Sequence, residues 1–351
     1  MIWDIDPVLI QFDWLNTAIT NGPLQIRYYG LFFAIGLLGA AWAFPRYFEQ
    51  WGYPRKHGER LTLWTPLGMI VGAHLVHLIF YETHLFTDVF SDPGGQSLEA
   101  LGRRLIQIGS GLASHGGGIG AILAVFFFAR KHGRDPLAYM DPAMCGATFV
   151  IPWVRVGNLF NSEIVGRQTD LGIGVWFPRH ECPQYAHLPT GEAQELCQTV
   201  IYRHPSQVYE ALLAFAMLGL AIYLNARWRN RLRPGAVLFI LLAYYFTTRF
   251  LIEYVKEFQT ALDESFPFTM GQCLSAPIVL LSLYMLLFSK KSNILKPLTD
   301  EERAAIAPGA APGKTGPDRA PVSQSLEPSA EGGAPDADAP AKPKKRRKKK
   351  K

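Results

Sequence analysis

Four short clusters hold most of the residues able to do chemistry in otherwise apolar sequence: SHGGGIG at Ser114–Gly120, VRVGNLFNSEIVGR at Val154–Arg167, HPSQVYE at His204–Glu210 and YYFTTRFLIEYVKE at Tyr244–Glu257. Arg155 and Asn158 are spaced to share one helix face, and Asn161, Glu163 and Arg167 follow in the adjoining loop. Tyr245, Arg249 and Glu253 recur at every fourth position, so a phenol, a guanidinium and a carboxylate line one face of an apolar helix. Arg27, Arg155, Arg167 and Arg249 together exceed the carboxylates inside apolar stretches, and planar guanidinium forks suit phosphate oxygens. An anionic headgroup is the ligand such a site would take, and the glycines after His115 at a helix start would permit close approach and offer free amide donors to it. Plainer readings stand beside these. Arg249 and Glu253 could be a self-neutralising pair that joins helices, and His115 a helix-end cap. In HPSQVYE, Pro205 fits a first helical turn and Ser206 could satisfy end amides, although Glu210 still lies within the apolar run.

The elements that must position these residues are membrane helices. Charge is scarce over repeated stretches of about 16 to 22 residues, enough to cross roughly 30 Å of hydrocarbon as helix. Candidate spans are Tyr29–Phe44, Leu61–Tyr81, Leu112–Ala129, Ala143–Phe160, Val208–Leu224, Ala236–Tyr254 and Cys273–Phe288. Pro45, Pro142 and Pro234 are expected to flank spans, and Pro66, Pro152 and Pro277 to kink them. The loops RYFEQWGYPRKHGER, ARKHGRD, NARWRNRLR and SKK are basic and alternate along the chain, which places them on the cytoplasmic side. The expected fold is therefore an all-α polytopic membrane protein of about seven transmembrane helices. Residues 1–28 form an external N-terminal segment, and residues 29–289 a transmembrane domain with a small periplasmic head at 161–205. DLGIGVWF in that head reads as a short strand or two. Residues 290–351 are a basic cytoplasmic tail whose Ala, Pro, Gly and charge cannot build a core.

The net charge is +6, but the terminal KPKKRRKKKK carries more than that surplus, so the body is slightly acidic and nucleic acid is not an expected partner. Such a tail suits anionic membrane lipids, or is simply solvated. Cys182 and Cys197 lie in the polar head, where a disulfide is favoured over free thiols; His180 and His187 nearby match no zinc spacing well, and no metal is expected. No internal repeat of a rocking transporter is found.

In combination, RYYGL at Arg27–Leu31, SHGG at Ser114–Gly117, RVGNLFNSEIVG at Arg155–Gly166, HPSQVYE, RFLIE at Arg249–Glu253 and GQCLS at Gly271–Ser275 resemble the prolipoprotein diacylglyceryl transferase family. The resemblance runs from Arg27 to about Ser289 and implies an inner-membrane, multi-pass enzyme without a cofactor, its N-terminus periplasmic and its C-terminus cytoplasmic. It implies phosphatidylglycerol as donor and, as acceptor, the lipobox cysteine of a prolipoprotein signal peptide, with a thioether formed and glycerol phosphate released. Carried over by position, it implies catalytic roles for His115, Arg155 and Arg249. Substrate binding would fall to Tyr29, Asn158, Asn161, Glu163, Gly166, Tyr245 and Glu253. Val154 and Leu159 depart from the family signature, and His74 and Lys256 stand where the family commonly has Arg. The rival function is a lipid or anion transporter with an arginine-lined headgroup site.

Overall fold

The structure, a computed structural model, describes residues 1–17, 22–82, 87–89, 96–106, 114–229, 231–258, 267–296, 298–299 and 301–302. The chain opens with an antiparallel hairpin, β1 (Val8–Thr17) and β2 (Gly22–Arg27), which runs directly into α1 (Tyr28–Gln50). Then follow α2 (Arg55–Tyr81), α3 (Gln96–Ile106), α4 (Ser114–Lys131), α5 (Pro136–Ala147) and α6 (Ile151–Phe160). A small head contains β3 (Val175–Trp176), α7 (Pro178–Glu181), α8 (Glu192–Leu196) and β4 (Tyr202–Arg203). Three more helices complete the bundle: α9 (Ser206–Arg227), α10 (Ala236–Ile252) and α11 (Met270–Leu287).

Among the described residues, five helical stretches are long and apolar enough to cross a membrane: Tyr28–Gln50, Arg55–Ile79, Pro136–Phe160, Ser206–Arg227 and Met270–Leu287. The two other expected spans are helical but fall short of those criteria, because α10 has 17 residues and α4 includes His115, Arg130 and Lys131. Only 22% of the apolar window of α11 is buried, so most of its hydrocarbon faces outward, as lipid contact requires.

One expectation is corrected. Pro45 and Pro142 lie inside α1 and α5 instead of flanking spans. The expected span Ala143–Phe160 lies within the stretch Pro136–Phe160, with a turn at Thr148–Val150 just ahead of Pro152, whose missing N–H is tolerated in a first helical turn. Within the N-terminal segment Ile2 pairs in parallel with Trp176, which adds the chain start to the β3–β4 sheet.

Glycines set the contact between α2 and α4. Gly68 and Gly72 of α2 meet Gly116 and Gly120 of α4 so tightly that a Cβ on Gly72 would overlap the Gly116 carbonyl, and one on Gly120 the Gly68 carbonyl. These paired small-xxx-small motifs let two backbones touch where lipid supplies no hydrophobic drive. At the end of the bundle remote from the head, Phe44, Phe48, Leu61, Phe128 and Tyr139 form a core. The fully buried Asp141 completes that end by accepting the backbone N–H groups of Gly235 at 2.7 Å and Leu238 at 2.8 Å, satisfying amides at the start of α10.

Candidate active site

The signature loop after α6 is built as the middle of three short backbone segments. Gly166 N–H donates to the His204 carbonyl at 2.9 Å and His204 N–H returns a bond to Arg167 at 3.0 Å. On the other side Arg167 N–H donates to Val255 at 2.8 Å and Glu257 N–H to Val165 at 3.2 Å. Gly166 is required because a Cβ there would lie 2.5 Å from the His204 carbonyl oxygen and 2.7 Å from that of Val255. Ser162 and Ile164 adopt left-handed backbone at φ 53° and 57°, costly for a β-branched residue. The side chains of HPSQ hold that turn: Ser206 Oγ donates to the Ile164 carbonyl at 2.6 Å, and Gln207 Nε2 to the Glu163 carbonyl at 2.6 Å. Ser206 thus braces the loop and does not cap α9, where Pro205 occupies the cap position.

Below this loop, Arg155, Glu210, Tyr245, Thr248 and Arg249 line a narrow cleft with Ile151, Leu213, Ala214 and Ile252. Arg155 Nη1 lies 3.0 Å from Glu210 Oε2, near enough for an ion pair although out of line for a hydrogen bond. Arg249 Nη2 is 3.8 Å from Glu253 Oε1, a looser pair along α10. Between the two carboxylates sits the ammonium of Lys256, 3.7 Å from Glu210 and 3.4 Å from Glu253 and itself only 3% exposed. Against Glu210 and Glu253 alone, the three cations leave one positive charge beside the cleft, with the Glu163 carboxylate farther out on Asn158 and Asn161. A buried net charge wants an anion.

Further contacts fix the carboxylates. Thr269 caps α11 through a capping box with Gln272 and donates its hydroxyl to Glu253 Oε2 at 3.2 Å. Gly271 leaves room for that carboxyl group, since a Cβ would overlap it. Farther along the signature loop Asn158 and Asn161 donate to the two oxygens of Glu163, at 3.4 and 3.2 Å, and the Oδ1 atoms of both asparagines are buried without hydrogen-bond partners among the described residues. The Tyr29 ring packs on Gly157, where a Cβ would come within 2.7 Å of it, and its phenol is within electrostatic reach of Glu163 and Arg155.

Arg155, Tyr245, Arg249 and Glu253 are therefore brought together, with Tyr29, Asn158, Asn161 and Glu163 clustered above them. Gly166 acts through backbone packing. His115 lies in the first turn of α4, but its side chain falls outside the described residues. Two of the four arginines expected to supply surplus charge are employed elsewhere. Arg27 is exposed on the hairpin and donates to Gln25 at 3.4 Å. Arg167 donates Nε to the Lys256 carbonyl at 2.8 Å and lies 4.2 Å over the Phe258 ring. In their place Lys256, buried behind the cleft, supplies positive charge against Glu210, which lines it, and Glu253. The signals for them were Glu210 inside an apolar run and Lys256 one helical turn beyond Glu253.

In the head, Cys182 and Cys197 are joined as a disulfide and His180 faces Glu257 at 3.1 Å, which removes the metal reading of those residues. Arg203 ties the head to the end of α10 through Glu181 and, at 2.9 Å, Glu257. Burial works against the Arg203 charge, but the bonds from these two carboxylates outweigh it and raise its pKa above the usual guanidinium value.

A family profile described as prolipoprotein diacylglyceryl transferase matches residues 16–288. A phosphatidylglycerol–prolipoprotein diacylglyceryl transferase of Tolumonas auensis is 32% identical over 84% of this chain and 99% of its own length. Proteins of the same name from Chloroherpeton thalassium and Vibrio cholerae are 30% and 33% identical over 84% and 83% of this chain, covering 97% and 94% of their own lengths.

Proposed function

The chain belongs to the prolipoprotein diacylglyceryl transferase family, and from that premise we propose how its cleft performs the reaction. It is a multi-pass membrane enzyme that transfers the diacylglyceryl group of phosphatidylglycerol to prolipoproteins. The single observation that carries the proposed mechanism is the buried cleft in which Arg155 and Arg249 are each held by a carboxylate while Lys256 leaves one positive charge over. The phosphate of the donor headgroup takes that charge.

In this reading the acceptor is the lipobox cysteine thiol of a signal peptide. Its thiolate attacks the glyceryl carbon of the diacylglyceryl group, the carbon–oxygen bond to phosphate breaks, and glycerol phosphate leaves with the bonding pair. Arg155 and Arg249 stabilise the charge that develops on the leaving phosphate, in a site where low dielectric makes each contact stronger. Tyr245 orients the headgroup beside them, helped by Tyr29, Asn158 and Asn161, with Glu163 bridging the two asparagines and Glu253 steadying Arg249. His115 is the base that takes the thiol proton, since a free cysteine with a pKa of about 8.5 is mostly protonated at neutral pH.

We place the cleft and the head on the periplasmic side of the inner membrane, with α4 and α10 as two further spans and the basic tail in the cytoplasm. Alternation of the basic loops supports that orientation. The transporter reading has one feature in its favour, the turn at Thr148–Val150. The deciding experiment combines purified protein, phosphatidylglycerol and a synthetic lipobox peptide. Transferase activity gives a peptide heavier by one diacylglyceryl group and an equivalent of glycerol phosphate. If neither product forms, and labelled phosphatidylglycerol instead changes leaflet in vesicles, the proposed mechanism fails.

A further inference from the structure

The hairpin ahead of α1 has two unlike faces. On one, Ile10 stands opposite Ile26 and Phe12 opposite Leu24, and the Trp14 ring meets that of Phe12 edge-on at 6.2 Å. On the other, Gln11 stands opposite Gln25 with their amides hydrogen-bonded at 2.8 Å, and Arg27 donates to Gln25 at the base. The apolar face is open: Trp14 is 80% exposed, Ile10 46% and Ile26 40%. A lone two-stranded hairpin is marginal in water, and one that shows its apolar side chains to water more so.

Its attachments say what covers that face. Tyr28 N–H donates to the Pro7 carbonyl at 3.0 Å, so the open end of the hairpin closes where the membrane helix α1 begins. Residues 1–6 are fixed in the head, with Trp3 N–H donating to the Trp176 carbonyl at 2.9 Å and Arg179 Nε lying 2.7 Å from Asp4 Oδ1. The hairpin therefore springs from the junction of head and bilayer, at the depth of the headgroups, and a ten-residue strand reaches about 33 Å sideways from there. Tryptophan concentrates at that depth, where one part of the ring is wet and the rest is apolar.

We propose that the β1–β2 hairpin is an interfacial membrane strap, its Ile10, Phe12, Trp14, Leu24 and Ile26 face lying in the lipid headgroup and upper acyl region and its Gln11–Gln25 face toward water. The strap braces the head against the bilayer, independently of what the cleft catalyses. A signal peptide added to the strand edge, or a second copy of the chain, would cover the same face only when present.

Nitroxide labels at Ile10→Cys and Ile26→Cys, compared with Gln11→Cys and Gln25→Cys, test this in nanodiscs of phosphatidylethanolamine and phosphatidylglycerol. Each is made in a Cys273→Ser background, because Cys273 is the exposed free cysteine and Cys145 is buried. With the strap in lipid, the labels at positions 10 and 26 lie about 5–10 Å below the phosphates, open to oxygen and shielded from a soluble nickel chelate. Those at 11 and 25 show the reverse. Equal nickel access at all four positions overturns the proposal. So does protection at 10 and 26 that arises only on adding a lipobox peptide or raising protein concentration. Should the labels disturb the hairpin, the unlabelled chain gives an independent reading. The emission lost on Trp14→Phe must be quenched by lipids brominated high on their acyl chains, and an unquenched Trp14 rejects the strap.

Discussion

Replacing Lys256 with methionine should raise the KM for phosphatidylglycerol by about 30-fold while sparing most of kcat. The ammonium lies between Glu210 and Glu253, at 3.7 and 3.4 Å, and supplies the charge left over after the two arginines are paired. A unit charge about 8 Å from a bound phosphate, through an effective dielectric near 20, contributes about 2 kcal/mol, which is roughly a 30-fold change in affinity. A second consequence is structural. Removing one partner from a buried ionic cluster costs about 3–5 kcal/mol, so the variant needs a melting curve in detergent before its kinetics are read. Lys256→Arg keeps the charge and should recover KM to within a fewfold. The assay is initial rate against the mole fraction of phosphatidylglycerol in mixed micelles at saturating peptide. A folded Lys256→Met enzyme with unchanged KM, or a Lys256→Arg enzyme as impaired as the methionine variant, would refute the argument from surplus charge.

Gly271→Ala should lower kcat by about tenfold, roughly 1.4 kcal/mol, because the new methyl evicts the Glu253 carboxyl group from its place beside Arg249. Melting should fall as well, since Glu253 loses its buried contacts with Lys256 and Thr269 by more than the gain in helix propensity returns; unchanged turnover in folded protein would refute the clash. Gly72→Leu should destabilise the fold by about 1–3 kcal/mol or more by forcing α2 from α4, seen as a lowered melting temperature in detergent. Converting both Cys182 and Cys197 to serine should cost about 3 kcal/mol of stability through the 15-residue separation the bond spans, with kcat retained; parallel loss of kcat in folded protein would place the head in catalysis.

Much of the bundle was legible because long apolar runs have only one use in a bilayer. The turn at Thr148–Val150 was not, since the apolar run passes through it and only Pro152 hints at it. The hairpin escapes the same criterion: Ile10-Gln11-Phe12 alternates as a strand should, but over too short a stretch to register in a search for spans. In the site, Tyr245, Arg249 and Glu253 share a face by local spacing alone. The pairing of Arg155 with Glu210, and the space that Gly271 leaves for Glu253, join different helices and depend on packing that no local pattern records. Arg27 and Arg167 show the converse limit, for residue type and proximity to a span did not tell a ligand-binding guanidinium from one spent on the hairpin or on the Lys256 carbonyl.

The three-segment arrangement around Gly166 bears on how the protein is made. Arg167 finds the Lys256 carbonyl 89 residues later, and Gln207 reaches the Glu163 carbonyl across 44. At synthesis rates of roughly 5–20 residues per second, the loop waits about 5–20 s after it is made for its last partner to be translated. Until Ser206 and Gln207 arrive, about halfway through that interval, its left-handed turn is unsupported, and the guanidinium of Arg155 has yet to be enclosed by the helices that follow. Insertion of α10 is then the event that converts a string of membrane helices into a working site. Ribosomal pausing ahead of Val255 should leave a nascent chain that the cell's membrane proteases recognise at this loop before any other.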